Sequence, residues 1–262
     1  MSTVTTTGPT RTDDPPAPDT TIAGIPFGRL VRVEWTKATG TRAARWLLAL
    51  VAVSTTALML RPLLSPSTTE QSHTGYLGIA AVGLAILLPV VSILTLTSEW
   101  SQRTVLTTFT QEPRRTRVVN AKVAVSVLLA AAGAAFGGLV TTLSIMAAGL
   151  SGRTIDADLD VAAAVGYLLF VLLNVLGGVA FGALLHNSAA AISLYFVLPT
   201  AFGLLGLALT SAAEWFDSST TFAWVLVGDW SGHTPQILVT TVVWVALPLA
   251  AGLVRTVRRE IR

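Results

Sequence analysis

The chain has 262 residues, 52% of them hydrophobic and 12% charged, with a mean hydropathy of +0.68, a composition that excludes a water-soluble globule and places the protein in a membrane. It has no cysteine, so disulfide scaffolds, thiolate metal sites, iron–sulfur clusters and cysteine nucleophiles are excluded as well. The net charge of +3 and isoelectric point near 9.8 would suit nucleic acid only if the basic side chains formed one continuous surface, and their placement along the chain argues against it.

Residues 1–28 are rich in Ser, Thr, Pro and Asp and lack the apolar core of a signal peptide. They are expected to form a disordered cytoplasmic tail ahead of a 29–262 membrane domain. From Phe27 to Arg45 the chain reads FGRLVRVEWTKATGTRAAR. Coiled as a helix, this segment puts Leu30, Val33 and Lys37 on one face, which fits an amphipathic helix lying on anionic lipid. An ordinary positive flank of the first span is the plainer alternative.

Six apolar runs follow, Trp46–Leu64, Tyr76–Thr97, Val123–Leu150, Val161–Leu185, Ala189–Thr210 and Gln236–Val254, and together they carry one formal charge, Arg61. Each is long enough for a helix rising about 1.5 Å per residue to cross about 30 Å of hydrocarbon. Barrel strands would be half as long and would alternate, so the expected fold is an all-α membrane protein of six transmembrane helices. Fifteen of the seventeen Lys and Arg residues fall before the first run, between the second and third, and after the last. The opposite side has only Arg61, near the end of the first run, and Arg153, but collects Glu70, Asp156, Asp158, Asp160, Glu214, Asp217 and Asp229. Basic residues accumulate on cytoplasmic flanks, so both termini are expected in the cytoplasm, and the isoelectric point follows from topology, with no nucleic acid as partner.

Little in this chain promises chemistry of its own. The histidines, His73, His186 and His233, all lie in connections, and no run contains a carboxylate, so neither a metal site nor an intramembrane aspartyl site is expected. His186 beside Ser188 has no neighbouring carboxylate to orient it and reads as a polar turn. A nucleotide-binding P-loop needs GK followed by Ser or Thr, and the only lysines are Lys37, after Thr36, and Lys122, after Ala121. If ATP drives this protein, another polypeptide binds it. Asn174, the most polar side chain at depth in the fourth run, can contact a substrate or hydrogen-bond a neighbouring helix.

The connection from Thr97 to Lys122, TSEWSQRTVLTTFTQEPRRTRVVNAK, is too long for a turn and too apolar for a solvated loop. Val105, Leu106 and Phe109 cluster at helical spacing, and Pro113 should end that helix or start another. Docking to a soluble partner and an inner-leaflet segment with snorkelling arginines fit it equally. Glu99 to Thr104, then Glu112 to Arg117, then Ala121-Lys122 resemble the ExxxGT…PxR…AK pattern between the second and third spans of ABC-2 type transporter permeases. Val31 to Lys37 is similar to the EWTK entry segment of actinobacterial members. Arg103 departs from the family's Gly at that position.

The resemblance implies a permease subunit in the bacterial plasma membrane that is not an enzyme and binds no cofactor, with ATP and Mg on two partner ATPase subunits and a second permease subunit beside it. It implies a coupling helix built on Glu99, Arg103, Thr104, Val105, Leu106, Phe109, Pro113, Arg114, Arg115, Arg117 and Lys122. It also implies an interfacial elbow helix bearing Arg32, Glu34, Trp35 and Lys37, and a subunit interface lined by the first, second and fifth spans. Residues 211–235 would form re-entrant or surface helices, or else an outer loop whose aromatics Trp215, Phe216, Phe222, Trp224 and Trp230 sit at the headgroups. The apolar spans suit export of a hydrophobic or amphipathic cargo. The alternative from another class is a non-transporting scaffold or sensor.

Overall fold

The structure, a computed structural model, describes residues 25–68, 70–102, 104, 108, 110, 112, 114–156, 158–206 and 215–258. Among these every regular element is helical, and extended pairing is limited to an isolated bridge between Ser72 and Asp156. Six helices are long and apolar enough to cross a membrane: Arg42–Leu64, His73–Ser101, Arg115–Leu150, Val161–Leu185, Ser188–Leu205 and Thr234–Thr256. The chain is a multi-pass membrane protein, as its apolar runs require.

Helix α1 covers Phe27–Gly40 and ends before Thr41, whose hydroxyl accepts from Ala44 N and so starts α2, Arg42–Leu58. Met59 is buried between α2 and the short α3, Leu60–Leu64. Ser72 caps α4, His73–Ser101, by accepting from Gly75 N. Helix α5, Arg115–Leu150, has 36 residues, about 54 Å at helical rise, and therefore extends well beyond a hydrocarbon layer. Asp160 caps α6, Val161–Leu185, which ends at His186 in the left-handed region with φ 52°. Helix α7 is Ser188–Gly206 and α8 is Ser218–Val227. The last span joins α9, Thr234–Thr241, through a π-turn at Val242–Ala246 to α10, Leu247–Arg258. Pro248 has no N–H to offer the carbonyl four residues back, and the neighbouring turn widens so that Leu247 N reaches Val242 O.

Helix α4 is the hub, packed against α2, α5 and α6. The approaches to α2 and α6 rely on glycine: a β-carbon at Gly83 would stand 2.8 Å from Thr55 Cα, and one at Gly178 would stand 2.6 Å from Pro89 O. Gly178 and Gly182 thus form a small-residue face onto α4, as their spacing in the sequence suggests. Hydroxyls along α4 are satisfied within the helix, with Ser92, Thr95 and Thr97 donating to Leu88, Val91 and Ile93 carbonyls. Outward positions carry exposed Leu50, Val53, Leu139, Leu143, Met146, Leu194, Val197 and Leu204, the surface that lipid covers.

Helix α8 corrects the picture of a plain outer loop with headgroup aromatics. Its C-terminal carbonyls at Val225 and Leu226 pack against Gly166, and Gly228 packs on Ala162 near the start of α6. Its other end brings Ser218 and Phe222 to the same cavity as Asn174, about 12 Å further along α6 by helical rise. Trp244 Nε1 donates to Phe216 O at 2.8 Å and Thr240 Oγ1 donates to Trp215 O at 3.1 Å, anchoring the inner end of α8. The segment therefore folds back into the bundle. Phe222 goes with it because apolar helix–helix contact is available there, while Phe216 is 39% exposed and Trp224 and Trp230 stay near its outer end. Residues 207–214 lie outside the described part.

Candidate functional site

The termini of α1, α4, α5, α6 and α10 meet at one end of the bundle, and four charged side chains form a closed network there. Lys122 Nζ on α5 lies 2.6 Å from Glu34 Oε2 on α1 and 3.4 Å from Glu99 Oε1 near the end of α4. It also donates to Thr95 O at 3.3 Å. Lys37 Nζ, one turn beyond Glu34, is 2.7 Å from Glu34 Oε1 and 2.7 Å from Glu99 Oε1. Two lysines and two glutamates balance, and they include every lysine in the chain. The side chains of Glu34, Glu99 and Lys122 are 5–9% exposed, whereas that of Lys37 is 45% exposed, so it alone opens onto solvent or headgroups. Burial disfavours the Lys37 ammonium, yet its bonds to Glu34 and Glu99 outweigh that and hold its pKa above the usual lysine value.

This network decides how α1 lies. The buried stripe is Val31, Glu34, Trp35 and Ala38, with Val31 and Trp35 packed on the main core and Glu34 and Ala38 buried. Of the face expected to lie on lipid, Val33 is 46% exposed and Leu30 partly so, while Lys37 turns its ammonium to the network. Pairing of Glu34 with Lys122 turns the helix, because a buried ammonium without a counter-charge would cost several kcal/mol. Arg29, Arg32, Arg42 and Arg45 are left exposed on the outer side.

The connection after α4 is tied to the same network. Thr108 Oγ1 donates to Glu99 Oε1 at 3.0 Å. Thr108 N donates to Thr104 O, and Glu112 N to Thr108 O, bonds of helical spacing. Buried Glu112 accepts from Arg117 Nη1 at 3.0 Å, and Arg117 Nη2 donates to Ile25 O at 2.6 Å. Arg115 Nη1 reaches Thr256 O at 3.3 Å, which brings in the last helix, while Arg114 is exposed. The anticipated positions Arg103, Val105, Leu106, Phe109 and Pro113 lie outside the described residues. Of the rest, Glu99 and Lys122 point inward and are spent on the network. Glu112, absent from the anticipated set, is as deeply buried as any of them; its place five residues before Arg117 was the available signal.

His186 and Ser188 serve the turn between α6 and α7. His186 Nε2 is hydrogen-bonded to Thr256 Oγ1 at 2.8 Å and the ring lies 4.2 Å from that of Trp100. Ser188 Oγ bonds Thr97 and Ser101 hydroxyls, so the pair is directed to different partners and forms the polar turn expected from sequence.

Asn174 lies elsewhere, in the wall of a cavity of ≈ 290 Å³ between α6, α7, α8 and the π-turn. Its amide nitrogen donates to Phe170 O at 2.9 Å and its Oδ1 accepts from Tyr195 Oη at 3.0 Å. The bond to Tyr195 joins α6 to α7, one of the two alternatives open for this residue, and the side chain also lines the cavity. No group of three or more His, Asp or Glu side chains able to hold a metal occurs among the described residues. Neither a protein-family model nor a curated protein matches this chain.

Proposed function

We propose that this protein is the permease subunit of an ATP-driven exporter of the ABC-2 type, moving a hydrophobic or amphipathic cargo with energy from a separate ATPase. The observation that carries the reading is the charge network. Glu34 and Lys37 belong to the entry segment, Glu99 and Lys122 bracket the connection between the second and third spans, and all four meet. Two segments that resemble separate family motifs are thereby one mechanical unit. A push on the connection moves α1, α4 and α5 together, because displacing one charge would strand its partner in a buried site.

In this reading the basic end faces the cytoplasm, α1 rests on the inner leaflet with its exposed arginines on anionic headgroups, and Arg114 stands at the docking surface. The largely uncovered faces of α2 and α7 meet a second permease subunit, and α4 contributes less there than the resemblance implies because its own neighbours enclose it. ATP and Mg bind the partner, consistent with the absence of a P-loop lysine in this sequence.

The test is co-purification in mild detergent with a P-loop ATPase, followed by reconstitution. Arg114→Glu is expected to abolish stimulation of the ATPase by the permease while leaving the permease melting curve unchanged. Transport of cargo into vesicles by the isolated chain, with no companion subunit, would overturn the reading.

A further inference from the structure

We propose that the cavity between α6, α7, α8 and the π-turn is a binding site, inside one subunit, for a small neutral aromatic molecule bearing a single hydroxyl or carbonyl head. The size sets the scale. Its ≈ 290 Å³ is roughly twice the cavity of about 150 Å³ that accepts one benzene, enough for two rings and a short polar group. Its walls set the class: Phe170, Phe181, Tyr195, Phe196, Phe222 and Trp244 line it, and no acidic, basic or histidine side chain does. A charged ligand would find no counter-ion among the lining side chains, whereas a planar ring finds edge and face contacts on several sides.

The polar atoms define the head. Ser218, 6% exposed, brings a hydroxyl-bearing side chain to the cavity wall. Tyr195 Oη spends its proton on Asn174 and keeps a lone pair. Asn174 uses one amide hydrogen on Phe170 O and keeps the other. Thr200 and Ser219 also line the space, but their hydroxyl protons are spent on Phe196 O and Asp217 Oδ1, so Ser218, Tyr195 and Asn174 are left to offer donors and acceptors to one hydroxyl or carbonyl. The surrounding backbone is irregular in a way that keeps the space open: Pro199 interrupts α7, and Trp244 and Val245 sit in the π-turn, a feature common at functional sites. Helix α8 supplies Ser218 and Phe222 only because it folds back, so the site exists by virtue of that insertion.

Binding here stands independently of ATPase coupling, and only the fate of the bound molecule leans on the export reading. The full chain, in nanodiscs of phosphatidylcholine and phosphatidylglycerol with no ATPase or nucleotide present, would be irradiated with benzophenone, two rings with a single carbonyl. Modified peptides would then be mapped by mass spectrometry. The expected result is saturable labelling on the α6 peptide containing Phe170 to Phe181 and on α8, displaced by excess 4-phenylphenol. Thr200→Phe, which fills the space from the exposed helix α7, is expected to lower that labelling about fivefold or more, and Leu204→Phe, on the same helix but off the cavity, to leave it unchanged. Ser218→Ala and Tyr195→Phe, each removing one hydrogen bond while keeping the walls, are expected to raise the half-saturating probe concentration about two- to tenfold. Melting curves identify variants that fold. Labelling that rises linearly with probe, spreads over lipid-facing Leu139 and Leu143 and ignores 4-phenylphenol would mean that lipid chains fill the space, and would overturn the site. So would cavity labelling indifferent to Thr200→Phe and to Ser218→Ala. Either failure leaves the coupling proposal standing, since no partner takes part in the measurement.

Discussion

Removing Lys122 is the sharpest test of the charge network. Lys122→Met keeps the length of the side chain and deletes the ammonium that lies 2.6 Å from Glu34 and 3.4 Å from Glu99. Two carboxylates then share Lys37 alone, and the site carries one net negative charge at 5–9% exposure. Breaking a buried pair by removing one partner costs about 3–5 kcal/mol. Lys37 still touches both carboxylates, so the lower end applies, about 3 kcal/mol, or a fall of about 6–12 °C in melting temperature for a chain of this size. Lys37→Met removes the same charge at almost the same distances, 2.7 Å to each glutamate, but from a side chain 45% exposed. There solvent screening limits the loss to about 1 kcal/mol, about 2–4 °C. Adding Glu34→Gln to Lys122→Met restores neutrality and should recover most of the lost stability. The assay is thermal unfolding followed by fluorescence-detected size exclusion in detergent. If Lys37→Met proves as harmful as Lys122→Met, or the double variant melts no higher than the single, burial is not what gives the network its strength.

Raised pH should reach the network through Lys37. Its pKa is raised in the folded state, so its stabilisation is complete below the ordinary lysine value of about 10.4 and is lost as pH climbs through the higher folded value; melting temperature should be flat across neutral pH and fall in strong alkali, and Lys37→Met should blunt that fall. Asp217 caps the start of α8, accepting from Ser219 N and Oγ and from Thr220 Oγ1. Asp217→Ala should cost about 1 kcal/mol and Asp217→Asn much less, read in the same melting assay, and equal losses would refute the capping role. Gly178→Ala drives a β-carbon to 2.6 Å from Pro89 O and should cost about 1–3 kcal/mol, whereas Gly138→Ala meets nothing within 4 Å and should be neutral or slightly stabilising. Similar melting temperatures for these two variants would contradict the α4–α6 contact.

Several boundaries were legible because the determinants are local. The run from Val161 to Leu185 coincides with α6 because Asp160 caps one end and the His186–Ser188 turn closes the other. The third span is longer than its apolar run, since α5 begins at Arg115; its first turns are polar and held by Glu112, Ile25 and Thr256 at the basic end, which hydropathy does not register. The bundle-facing side of α1 was not legible for a related reason: apolar periodicity marks Leu30 and Val33, while the buried position goes to Glu34, a charged residue whose partner is 88 positions away. Asn174 was legible as polar at depth, while the cavity it lines was not, because the opposite wall comes from α8 and the π-turn.

The amino-acid order determines by itself that this chain is membrane-embedded and which six stretches are long and apolar enough to cross a bilayer. Those outcomes depend on the length of apolar runs and on counts of charge, and both are read along one dimension. Only the tertiary structure decides that Glu34, Lys37, Glu99 and Lys122 neutralise one another and that α8 folds back to enclose an aromatic cavity beside Asn174. Lipid makes every apolar helix face equally acceptable outward, so hydrophobicity leaves the rotation and neighbours of each helix undetermined. They are set by close contacts at Gly83 and Gly178 and by the cost of leaving a buried charge without its partner.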